Sequence, residues 1–201
     1  MSWHYEDETV RIAKLNVGPY DNCVYVVACV ATNKAVIIDA AAETDQILEA
    51  AAGLDVERII ETHGHMDHIG ALDPVKDALG VPWAMHLADV DIAGRTPDEP
   101  LDDRQEISVG DLNIHVAHTP GHTPGSVTFV LEPIAFTGDT LFPGGPGATR
   151  WEYSSFGQIM DSIEQRIMPM ADSTIVYPGH GDETTIGTER GDVEKWRARG
   201  W

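Results

Sequence analysis

The sequence predicts an α/β protein made of two halves, each a run of strands followed by helices, whose sheets pack face to face. Two observations carry this. Apolar runs of strand length occur in two groups, roughly residues 10–61 and 106–137, and each group gives way to segments with helical spacing. In addition, histidine and aspartate gather where predicted strands end, and loops held by strand ends are where chemistry tends to sit.

Val10 to Leu15 alternates apolar and charged residues, as a half-exposed strand does. Cys23 to Ala31 is dense in Val, Cys and Tyr and reads as a strand buried on both faces. A turn at 31–34 leads into Ala35 to Ile38, a second buried strand that ends at Asp39. Asp39 is either a strand-end turn residue or an acidic support behind the next loop. Thr44 to Gly53 has helical spacing (Ile47, Leu48, Ala51, Leu54), and Val56 to Glu61 is a strand. Asp73 to Leu79 is a short helix with Asp73 expected as its cap and Pro74 in its first turn. Val81 to His86 reads as a strand and Ala88 to Gly94 as a helical turn. Arg95 to Gln105, with two prolines and four acidic residues, is expected to be an exposed, mobile loop. Four strands follow, at Glu106–Val109, Asn113–His118, Ser126–Leu131 and Ile134–Thr137. Helix is expected at Met160–Met168 and Thr188–Arg199, with a strand at Ser173–Tyr177 between them.

The 201 residues suit one domain, and 42% apolar content suits a packed core. A formal charge of -20 with 13 basic residues speaks against nucleic acid as a partner, since a phosphate backbone needs clustered Lys and Arg. No run approaches the roughly 20 apolar residues of a membrane span, and the charged N-terminus lacks a signal-peptide core, so no membrane partner and a cytoplasmic location are expected. Cys23 and Cys29 are six residues apart in one extended strand, too far for a disulfide, and read as reduced core thiols.

The densest chemistry lies in Thr62-His-Gly-His-Met-Asp-His-Ile-Gly70, which places His63, His65, Asp67 and His68 within six positions. Neutral imidazole and carboxylate suit zinc or a similar divalent ion. Three later segments, each after a predicted strand, add His122 (His-Thr-Pro-Gly-His-Thr-Pro-Gly, 118–125), Asp139 (Phe-Thr-Gly-Asp-Thr-Leu-Phe, 136–142) and His180 (Tyr-Pro-Gly-His-Gly, 177–181). Five histidines and two aspartates would fill two metal sites that share one carboxylate. His118 is expected to brace its own loop, and His4, His86 and His115 lack motif context.

His63-x-His65-x-Asp67-His68 with His122, Asp139 and His180 in that order resembles the metallo-β-lactamase superfamily, across nearly the whole chain. The resemblance implies an αββα four-layer sandwich, two packed mixed sheets flanked by helices, over residues 1–201 as a single domain. It implies one metal on His63, His65 and His122, a second on Asp67, His68 and His180, and Asp139 bridging, with Asp39 supporting the histidine loop. The four motif segments are most similar to the glyoxalase II group, and Asp139 sets the chain apart from antibiotic-hydrolysing members. The helical C-terminal domain of two-domain glyoxalase II enzymes is absent, so a compact single-domain type is expected.

The expected activity is therefore hydrolysis of a small-molecule thioester or ester, of the S-lactoylglutathione type, by a monomer or small homo-oligomer. Two divalent ions, zinc before iron or manganese, would sit about 3.5–4 Å apart and acidify a shared water toward about pH 7. Asp67 would help hold that nucleophile. Arg150 is either a clamp for a substrate carboxylate, with Trp151 or Tyr153 beside it, or a surface residue paired with an acid such as Glu152. The alternatives are a persulfide dioxygenase-like enzyme, with one iron on His63, His122 and Asp139, or a lactonase.

Overall fold

A computed structural model describes residues 3–200, so the outermost residues of the expected 1–201 domain, Met1, Ser2 and Trp201, lie outside the described residues. The first half contains β1 (Tyr5–Glu6), β2 (Val10–Val17), β3 (Asn22–Cys29), β4 (Lys34–Ile38), α1 (Thr44–Ala50), β5 (Asp55–Ile60), α2 (Leu72–Leu79), β6 (Trp83–His86), α3 (Val90–Ala93) and β7 (Glu99–Leu101). Its seven strands form one sheet in sequence order, antiparallel from β1 to β4 and parallel from β4 to β7. The second half contains β8 (Glu106–Val109), β9 (Leu112–His118), β10 (Val127–Leu131), β11 (Ile134–Gly138), the small hairpin β12 (Leu141–Phe142) and β13 (Gly145–Pro146), α4 (Phe156–Ser162), β14 (Ile175–Pro178), β15 (Thr184–Thr185), α5 (Ile186–Glu189) and α6 (Val193–Arg199). Its main sheet runs β15-β14-β11-β10-β9-β8, with only β11 and β14 parallel.

The period of two along β3 shows how the layers arise. Tyr25, Val27 and Cys29 join Ile12, Ile38 and Ile60 against Ile114, Val116, Phe129 and Phe136, which makes the seam between the sheets. Val24, Val26 and Ala28 point the other way and pack, through Ile37 and Ile59, on Ile47, Leu72 and Val75 of the first helices. The outer face of the second sheet is covered in turn by Ile159, Met160, Ile163 and Trp196. The result is the αββα sandwich. Cys23 and Cys29 both belong to the seam and are free, as the strand geometry requires. Among the described residues no helix is long and apolar enough to cross a membrane.

Four local expectations are corrected. The segment 95–105 is not simply an exposed loop: β7 pairs in parallel with β6, Leu101 is buried, and Glu99 receives Arg58 at 2.7 Å. Pro100 is tolerated there because β7 is an edge strand, where a missing N–H leaves no ladder bond unmade. Asp73 does not cap α2; the cap position is Ala71, without a side-chain bond, and Asp73 instead receives Arg95 at 2.6 and 2.7 Å. Pro74 is then the third helical residue, still among the positions whose N–H has no intrahelical partner. The helix expected from Met160 starts at Phe156, where Ser155 accepts from the Gln158 N–H, and continues as a wider turn over Ile163–Ile167. The helix expected over Thr188–Arg199 is broken at 190–192, next to Gly191, into α5 and α6.

Candidate metal centre

The parallel pairing of β4 with β5 puts Asp39 beside the start of the histidine loop, since Ile38 and Ile60 are register partners. Asp39 adopts φ 57°, a left-handed conformation that Asp tolerates better than most residues. From there its carboxylate accepts from the Thr62 N–H (2.7 Å), the Thr62 hydroxyl (2.8 Å) and His68 Nδ1 (2.9 Å). It is thus the support behind the loop, the second of its two sequence readings. The opposite sheet contributes His122 from the β9–β10 connection, Asp139 after β11 and His180 after β14. The loop ends are stitched across the seam: Val127 N–H donates to Thr62 (2.9 Å) and Cys23 N–H to Gly179 (2.8 Å).

All seven expected ligands converge. His63 Nε2 and His65 Nδ1 are 3.1 Å apart, and His65 Nδ1 and His122 Nε2 3.0 Å. His68 Nε2 and His180 Nε2 are 3.1 Å apart, with Asp67 Oδ2 at 3.8 and 3.6 Å from them. Asp139 stands between the two groups: Oδ2 is 3.4 Å from His122 and 3.5 Å from His180, and Oδ1 is 3.5 Å from His68. Ligands about 2.0–2.1 Å from one ion are separated by about 2.9 Å in octahedral and about 3.4 Å in tetrahedral geometry. The observed nitrogen–nitrogen spacings fall in that interval.

The outer ring nitrogens show that these are lone-pair contacts rather than hydrogen bonds. His122 Nδ1 donates to the Ala148 carbonyl, His180 Nδ1 to the Tyr20 carbonyl (both 2.8 Å), and His68 Nδ1 to Asp39. His63 Nδ1 meets the Thr62 oxygen at 3.0 Å, and that hydroxyl's proton is directed to Asp39. In a neutral imidazole the other nitrogen is then an acceptor. Four bare Nε2 atoms, with His65 Nδ1, face one another and the buried Asp139 Oδ1, which has no hydrogen-bond partner. Such a set is mutually repulsive until a cation enters it, and this donor chemistry fits divalent metal.

The electrostatics favour neutral rings in the first group, whereas in the second Asp139 and Asp39 favour positive charge on His68, charge that a bound cation would supply in place of a proton. Burial, and then His68, hold His63 well below the ordinary histidine range; burial and His122 bring His65 down to about 4; burial also lowers His122. Around the second group burial opposes charge, yet Asp139 and Asp39 push His68 up to about 9, and Asp139 raises His180. Burial likewise works against ionised Asp139, but His68, His180 and the other imidazoles hold it well below the usual carboxylate range. Asp67 is lowered too, against burial, by His68 and by the Asn22 amide 3.1 Å away.

Three supporting residues escaped the sequence. Asp89, fully buried, accepts from Gly64 N–H (2.8 Å), Thr123 Oγ1 (2.7 Å) and Gly125 N–H (2.6 Å), and so ties the His63–His65 loop to the His122 loop. Glu61 is also fully buried; burial and Asp39 push its carboxyl well above the usual range, making it the neutral neighbour of Asp39. Asn22 holds Asp67. His118 braces its loop as expected, with Nε2 2.8 Å from the Pro124 carbonyl, and stacks on His86. Gly179 lies so close to the centre that a Cβ there would come within 2.3 Å of Asp139 Oδ1 and 2.7 Å of His68 Cε1. Gly179→Ala is accordingly expected to reduce metal uptake while circular dichroism shows the sheets retained; unchanged metal content would refute the crowding.

The centre opens into a cavity of about 1040 Å³ whose walls include Arg150, Trp151, Tyr153, Phe142 and Met66. Arg150 forms no ion pair with Glu152 or any other described acid; its guanidinium lies 4.8 Å over the Trp151 ring. Trp151 stacks on Tyr153, and the Tyr153 hydroxyl is 2.8 Å from His65 Nε2.

A family model described as the metallo-beta-lactamase superfamily matches residues 18–180. The hydroxyacylglutathione hydrolase GloC of Haemophilus influenzae is 33% identical over 178 residues, covering 78% of this chain and 84% of that protein. Among solved structures, the BLEG-1 B3 metallo-beta-lactamase is 31% identical with a TM-score of 0.81, covering 90% of this chain and 96% of that one. TTHA1623 in a di-iron-bound form is 30% identical with a TM-score of 0.79, covering 88% and 96%.

Proposed function

The chain belongs to the metallo-beta-lactamase superfamily, and on that premise we propose that it is a dinuclear metal-dependent hydrolase of small-molecule thioesters or esters, working as a single domain. The observation that carries the reading is the seven-ligand set: two triads, each able to hold an ion, with the orphaned carboxylate of Asp139 between them. His63, His65 and His122 would hold one ion, Asp67, His68 and His180 the other, and Asp139 both. Zinc is the favoured ion, with iron or manganese compatible with the same donors; the di-iron form of TTHA1623 supports a two-ion reading. Bound there, the ions supply Lewis acidity for the carbonyl and a water acidified to near neutrality.

The chain's own groups do the rest. Asp67, its carboxylate fixed by Asn22 and lining the cavity, orients the attacking water. Water adds to the acyl carbon and the C–S bond breaks, giving a carboxylate, a thiol and one proton. The outer-nitrogen partners (Asp39, Thr62, and the carbonyls of Ala148 and Tyr20) fix each imidazole's tautomer throughout. The GloC likeness supports thioester chemistry. Arg150, without an ion pair among the described residues, is positioned to hold a substrate carboxylate. Arg150→Ala should raise KM for a carboxylate-bearing thioester about tenfold with little change in kcat, and Lys should restore it only in part. An unchanged KM removes Arg150 from the site.

A second reading has one observation in its favour. His122 Nε2 is 3.4 Å from Asp139 and its ring 4.9 Å from that of His63, which brings near one another two histidines and a carboxylate, the donor set of non-haem iron oxygenases. It would make the protein persulfide dioxygenase-like. Metal analysis, turnover of S-lactoylglutathione, an acyl-lactone and a β-lactam, and oxygen uptake on glutathione persulfide separate the readings. Two ions per chain with thioester turnover supports the hydrolase; one iron with rapid oxygen uptake overturns it.

A further inference from the structure

Resting on the hydrolase reading, we propose that the substrate's acyl half is an apolar chain or ring, seated on the Tyr20–Phe142 side of the cavity, and that its other half carries a single carboxylate held by Arg150. Four large apolar side chains are exposed among the described residues: Tyr20 (68%), Met66 (65%), Leu87 (53%) and Tyr153 (38%). Three of the four line this one cavity, in a protein whose formal charge is -20. Solvent-facing apolar groups that collect around a functional cavity mark ligand-binding surface.

The walls are also separated by position. Trp151 is 4.7 Å from the His65 ring and 5.2 Å from the His122 ring, and Tyr153 and Arg150 stack beside it, so this wall belongs to the first triad. Phe142 is 6.2 Å from the His180 ring, and Tyr20 caps His180 through its backbone carbonyl, so the other wall belongs to the second. A carbonyl placed beside Asp139, between the triads, can direct one substituent toward each wall. One meets Arg150, the only Lys or Arg among the described residues lining the cavity; the other meets an apolar lining in which the described residues place no charged side chain beyond the ligands themselves. A polar hydroxyacyl group would gain little from that second wall, and a carrier with several phosphates would find one cation for all of them. The chemistry selects a monoanionic carrier with an apolar acyl group.

The test uses thioethers, which cannot be hydrolysed, so that binding is read apart from turnover. Calorimetry of the purified protein with S-methyl, S-butyl and S-hexyl 3-mercaptopropionate should show affinity rising about two- to fourfold per methylene. The Tyr20→Ser variant, altered at an exposed side chain, should reduce that slope. Arg150→Ala should weaken every member while keeping the slope. Equal affinity for the methyl and hexyl compounds, or no binding of either, overturns the proposal. In the matching acyl series, hexanoyl above butyryl above lactoyl in kcat/KM supports it, and lactoyl above hexanoyl overturns it. Chain-length-dependent binding with no hydrolysis of any thioester would defeat the hydrolase reading and leave the cavity assignment standing.

Discussion

Asp139→Asn should leave a folded protein that binds at most one ion per chain and hydrolyses thioesters about 10²–10³-fold more slowly. Among the described residues the carboxylate is the only anion within reach of both triads, 3.4 Å from His122 and 3.5 Å from His68 and His180. Asn has nearly the same shape but no charge, and its amide would point N–H groups where an ion must sit. Elemental analysis beside circular dichroism checks this. Two ions per chain in the variant would show that Asp139 is not shared.

Asp89→Asn tests the longer-range support. The wild-type carboxylate accepts three hydrogen bonds from two loops, with Gly64 and Thr123 on one oxygen and Gly125 on the other. Whichever way the Asn amide turns, its NH₂ faces a buried backbone N–H. The expected costs are about 2–3 kcal/mol of stability and a 10–100-fold weaker affinity at the His63–His65–His122 triad. Chemical denaturation and metal competition read the two effects separately. A stability loss without any affinity loss would make Asp89 a core residue with no hold on the centre.

The candidate ligands, Asp39 and His118 were legible and the supports Asp89, Glu61 and Asn22 were not, for a physical reason. His63, His65, Asp67 and His68 lie within one loop, and His122, Asp139 and His180 each follow a strand beside a glycine, so both residue type and local context announce them. Asp89 has no such local signal: its donors lie 25, 34 and 36 positions away, and it sits in a stretch that reads as an ordinary helical turn. Glu61 likewise reads as a polar strand end, and only the approach of Asp39 across parallel strands shows why it is buried. In the fold, β3 was plain because both of its faces are apolar. Strand β7 was not, since three residues with a central proline carry no period, and its place is set by pairing with β6. The start of α4 was hidden by Gly157, although Ser155 carried the capping signal.

The central claim is that two ion sites share Asp139. It is tested most directly by counting metal per chain after loading with zinc and exhaustive dialysis, for the native protein and for the His180→Ala and His122→Ala variants. Two ions in the native protein and one in each variant are predicted. A native protein that saturates at one ion, and keeps it when His180 is removed, would contradict the account.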